Sequence, residues 1–152
     1  MARHAFDVDH ADLFTRAIAP LVLYGRGDLG PIVERLGATA PPVHAFAGGY
    51  AGLSHLTRAA LSGDRARVMQ LVTPDAELFL SAGLHNALYA AEIFCLVGDE
   101  ARALGFLRRA ADLGLGCYPL VATHSRSLAL LRSNPGFAAI LADVEATWKA
   151  RK

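Results

Sequence analysis

Three Gly-Asp steps, Gly27-Asp28, Gly63-Asp64 and Gly98-Asp99, are spaced 36 and 35 residues apart. Each follows an apolar helical stretch and precedes a second one. A fixed period of this length is the signature of stacked helical hairpins. One hairpin cannot bury its apolar face alone, so the units stack and share a continuous core. Surfaces built this way serve recognition more often than chemistry, so the period constrains both the architecture and the kind of partner.

The clearest unit runs from His85 to Gly114. In its first half, Leu84, Leu88, Ala91 and Cys95 fall on one stripe, with Ala87, Phe94 and Val97 beside it, a spacing that predicts an amphipathic helix. Gly98 is placed to end that helix, because glycine readily takes the left-handed conformation a C-cap needs. Asp99 is placed to cap the next helix by accepting a backbone N–H. In the second half Ala103, Leu107 and Ala110 face one way, with Leu104 and Ala111 next to them, while Arg102, Arg108, Arg109 and Asp112 supply a polar face.

These residues resemble a tetratricopeptide repeat. Gly98-Asp99, Ala103, Leu107 and Ala110 match the family's second-helix pattern in register, and Ala91 and Phe94 suit its small and large first-helix positions. The small residues let two helices approach closely. Ankyrin repeats are disfavoured because Thr-Pro-Leu-His is absent at the turn, and HEAT-like pairs stay open as an alternative. All of these are all-α hairpin folds.

Shifted back by one period, Ser54 to Ser62 is the equivalent first helix, with Leu53, Leu56, Ala60 and Leu61 in position to pack. The second helix, with Val68, Leu71 and Val72 on its apolar stripe, is short because Pro74 follows. Thr73-Pro74-Asp75 reads as a cap, a first-turn proline and an acidic first turn, and opens a further helix from Pro74 to Ala82. Asp12–Tyr24 and Leu29–Leu36 are expected as helices around Gly27-Asp28, and Gly37–Pro42 as a loop.

The last third resembles the closing segment of tetratricopeptide regions in large bacterial signalling proteins. Gly116, Tyr118, Leu120, Leu128, Leu131, Arg132, Pro135, Phe137 and Leu141 carry the likeness, while His124-Ser125-Arg126 replaces the family's Asp-Pro step. Asn134 and Pro135 open a helix whose face is Phe137, Ile140, Leu141, Val144 and Trp148. The expected architecture is therefore one all-α domain over residues 1–152, a TPR-like α-solenoid of stacked antiparallel hairpins. It has a divergent first hairpin and loop at 1–42, repeat hairpins at 43–114, and a closing segment with a C-terminal capping helix at 115–152.

Composition excludes several classes. With 53% hydrophobic residues the chain carries enough apolar surface for a packed core. A net charge of +1 gives no general case for nucleic acid or an anionic membrane. The apolar run from Ala87 to Val97 contains Glu92 and is too short to span a bilayer. Cys95 and Cys117 have no metal spacing, and read as reduced thiols of a cytoplasmic protein.

Chemical sites compete with plainer roles throughout. His4, Asp7, Asp9 and His10 lack metal-ligand spacing. Ser54-His55 and His124-Ser125 are adjacent pairs with no third group placed beside them. Cys95 sits in an apolar helix, and no base is identified for Cys117. The segment Ala47 to Gly52 is glycine-rich but lacks the Gly-Lys-Ser/Thr ending of a phosphate loop. No catalytic residue, metal or cofactor is expected.

The resemblance does imply a site. In tetratricopeptide arrays the first helices line a concave face. Carried over, that gives a row of Tyr50, Ser54 and Thr57 and, 35 residues on, a row of His85, Tyr89 and Glu92. The expected partner is a protein or peptide, with self-association open because of the high apolar fraction. The rival reading is a regulatory domain that encloses a small molecule between hairpins.

Overall fold

The computed structural model describes residues 49–151 together with Leu21 and Tyr24, which are both helical. Gly27-Asp28, the remainder of the two expected N-terminal helices, the His4–His10 cluster and the Gly37–Pro42 loop lie outside the described residues. Every regular element among the described residues is helical: α1 (Gly49–Leu61), α2 (Arg65–Leu71), α3 (Pro74–Ser81), α4 (Leu84–Leu96), α5 (Glu100–Asp112), a π-helical turn (Leu120–His124), a 3-10 turn (Ser127–Leu131) and α6 (Pro135–Ala150). The all-α expectation holds. The chain divides into two compact units at Phe79-Leu80, and α3 crosses that boundary.

In the first unit α1 begins at Gly49, five residues before the expected start, so residues 49–52 form its opening turn. The Gly63-Asp64 step then reverses the chain. Gly63 has φ +70°, and its N–H donates to Ala60 O while that of Asp64 donates to Ala59 O. This pair of bonds satisfies the carbonyls a helix end leaves orphaned. The Asp64 carboxylate accepts from Arg67 N at 2.9 Å, so one dipeptide closes α1 and opens α2. Leu53, Leu56 and Ala60 are buried on α1 and Val68 and Leu71 on α2. α2 ends after two turns, where Thr73 takes over as a cap: its hydroxyl accepts from Ala76 N at 3.2 Å.

The second unit repeats the device. Gly98 has φ +74°, its N–H reaches Cys95 O, Asp99 N reaches Phe94 O, and the Asp99 carboxylate accepts from Arg102 N at 3.2 Å. α4 and α5 pack along each other, and the 3-10 turn packs on α4 as well. α4 is therefore apolar on most sides, with Ala87, Leu88, Ala90, Ala91, Ile93, Phe94 and Cys95 all buried. α5 buries only Ala103, Leu107 and Ala110, the three residues of its small-large-small pattern. Phe94 stacks on Phe106 with ring centroids 5.4 Å apart, and the Arg102 guanidinium lies over Phe94.

α6 covers α5. Asn134 caps it by accepting from Gly136 N, with Pro135 at the first position. Phe137, Ile140 and Val144 are buried, while Leu141 and Trp148 are half-buried. Near the start of both helices, Asn134 Nδ2 donates to Glu100 Oε2 at 3.2 Å. Midway, Arg108 pairs with Asp143. At the end, Arg151 Nη2 donates to Gly114 O at 2.9 Å. Start meets start and end meets end, so α5 and α6 run in the same direction. Arg108, from the expected polar face of α5, thus helps tie α6 to α5.

The helix-capping residues Asp64, Asp99 and Asn134 fall at exact 35-residue intervals. The second of these intervals escapes a search for Gly-Asp because Ser133-Asn134 replaces the dipeptide. In the second unit, the π and 3-10 turns precede α6 as α4 precedes α5. The cap spacing therefore continues into the segment that the sequence presents as a closing one.

Candidate functional site

On α4 the four- and three-residue steps from His85 to Tyr89 to Glu92 bring these side chains onto one stripe. It is the least buried stripe of this helix: His85 is exposed, and Tyr89 and Glu92 are half-buried. On α1, Tyr50 and Ser54 are half-buried, and the Tyr50 ring meets Phe79 edge-on at 5.6 Å. The two rows belong to different compact units.

Thr57 departs from the surface role the resemblance implies. It is fully buried, and its hydroxyl has no hydrogen-bond partner among the described residues. It lies one turn beyond Leu53 on the same side of α1, so the helix period turns it inward with the core. Elsewhere on α1, His55 is held below the ordinary histidine range, first by burial and then by the positive charges of Arg58 and Arg67.

Glu92 also has a role that no pattern in the sequence announced. Its Oε1 accepts a 2.7 Å hydrogen bond from Ser125 Oγ, in the break between the π and 3-10 turns. Burial pushes the Glu92 carboxyl up to about 7, with the Ser125 bond pulling in the opposite direction. Ser125 is itself buried, and Arg132 Nη2 donates to the carbonyls of Thr123 and Ser125, each at 3.1 Å. Ser125 belongs to His124-Ser125-Arg126, the stretch at which the sequence departs from the resemblance.

The arrangement does not support nucleophilic chemistry at these residues. The Ser125 hydroxyl is committed to Glu92, whereas the His124 ring is turned to Pro119 O at 2.7 Å. The Cys95 thiol is buried and pushed up to about 11, chiefly by that burial, so it is not a ready thiolate. Cys117 is exposed. Among the described residues no group of acidic, histidine or cysteine side chains is arranged to hold a metal ion, and no helix is long and apolar enough to cross a membrane. No family model, curated protein or solved structure matches this chain.

Proposed function

We propose that this chain is a noncatalytic module of tetratricopeptide-like hairpins that recognises a protein or peptide through its first-helix faces. The observation that carries the reading is the equal spacing of the helix caps at Asp64, Asp99 and Asn134. A chain that repeats one junction at one interval places like residues at corresponding positions of its hairpins. Tyr50 and Ser54 on α1 and His85 and Tyr89 on α4 are such positions. Their aromatic and hydrogen-bonding character suits peptide recognition. Thr57 has a packing role instead, and Glu92 is engaged with Ser125.

The test starts from a partner recovered with the full chain and measures its affinity for Tyr50→Ala, Tyr89→Ala and the double variant by calorimetry. Loss of an aromatic anchor is expected to weaken binding about tenfold per site, with helical content retained. Unchanged affinity in the folded double variant sinks the assignment.

A further inference from the structure

The closing segment is seated on α4. Glu92 takes the hydroxyl of Ser125 at 2.7 Å. Cys95, one turn further along α4, is buried, and the 3-10 turn packs on this helix. The segment consists of a π turn, an extended residue at Ser125 and a 3-10 turn, and Leu128 N donates to Ser125 Oγ at 3.4 Å. Val121, Leu128 and Leu131 supply the buried apolar contacts.

We propose that Glu92 and Ser125 form a proton-dependent latch, which holds the Leu120–Leu131 segment on α4 while the carboxyl is neutral and loosens it as the carboxyl ionises. The neutral carboxyl fits the site because it accepts the Ser125 hydroxyl without placing a charge under the segment. The ionised form keeps that one donor and must recover its solvation, which opening the segment supplies.

The nearby charged groups are otherwise directed. Arg132 donates to the carbonyls of Thr123 and Ser125. On α5, Arg102 lies over Phe94, Arg108 pairs with Asp143, and Arg109 donates to Ser81 O. Glu100, at the start of α5, accepts from Asn134 and adds to the negative field at Cys95, as Glu92 does. His124 holds Pro119 O, and Arg126 is exposed.

The sign follows from linkage. The closed state carries Glu92 raised to about 7 against an ordinary 4.5, so the closed state binds more protons than the open one between these values. Latch stability is complete below about 4.5, declines as pH rises, and reaches its floor above about 7. If opening returns the carboxyl to its ordinary value, the opening equilibrium rises by at most about thirtyfold between pH 5.5 and 8.5.

The experiment uses the full chain carrying Cys117→Ser, so that Cys95 is the only thiol. Cys95 labelling by a neutral maleimide is followed from pH 5.5 to 8.5, with each rate divided by that of the urea-unfolded chain at the same pH. Amide exchange at Ser125 and Leu128, corrected for intrinsic rates, is read in parallel. Both measures of opening are expected to rise between about five- and thirtyfold with pH. Glu92→Gln keeps an acceptor for Ser125 and is expected to flatten the profile, while His124→Gln leaves it sloped. If Glu92→Gln does not fold, Ser125→Ala replaces it, with an open-like rate expected at pH 5.5. A flat wild-type profile, or a slope that follows His124 rather than Glu92, overturns the latch.

Discussion

The side-chain amide of Asn134 donates to the carboxylate of Glu100 at 3.2 Å, which fastens the first turn of α6 to the first turn of α5. Asn134 caps α6, and Glu100 immediately follows Asp99, the cap of α5. The cap of α6 is thereby joined to the first residue of α5, so the junctions of this chain do more than reverse its direction.

The Gly98-Asp99 junction gives the most direct prediction. Asp99→Ala removes the acceptor of Arg102 N and is expected to cost about 0.5–2 kcal/mol. Gly98→Ala places a side chain at φ +74°, with an expected cost of about 1–2 kcal/mol from the left-handed backbone alone. Urea denaturation checks both. Wild-type stability in Gly98→Ala is incompatible with the turn described.

A second prediction concerns the small residues of α5. Ala103 and Ala110 are completely buried, one turn on either side of Leu107. Ala110→Phe has no space to enter without moving backbone, and a loss of roughly 1–3 kcal/mol is expected. Ala111→Phe, at a half-buried neighbouring position, serves as the comparison and is expected to cost less. Equal costs at the two sites contradict the close approach of α5 to its neighbours.

The junctions and the α4–α5 hairpin were legible in the sequence because local rules decide them. Glycine where φ is positive, aspartate where a helix begins, and a small-large-small stripe need no distant information. Glu92 was different. Its position on the α4 stripe follows from spacing, but its engagement depends on Ser125, 33 residues away. No pattern announces a partner chosen by tertiary packing. Thr57 failed as a surface residue for a related reason: the 35-residue offset preserves a position within a repeat, whereas burial depends on what packs over each copy.

Thr57 itself supplies the third prediction. A buried hydroxyl without a hydrogen-bond partner carries a desolvation penalty of about 1–3 kcal/mol. Thr57→Val retains the shape and removes the hydroxyl, and is expected to raise the unfolding free energy by about 0.5–2 kcal/mol in chemical denaturation. A loss of stability in this variant means that the hydroxyl makes a contribution its surroundings do not explain.

The equal cap spacing also bears on how such a chain grows. A stretch cut from Asp99 to Ser133 begins on a capping residue and stops just before the next one. A second copy inserted after Ser133 meets at both seams a backbone already committed to starting a helix. Duplication at this interval therefore demands no new joint, only an apolar face to receive the added pair. Lengthening by a number that is not a multiple of this interval breaks the equal spacing of the caps.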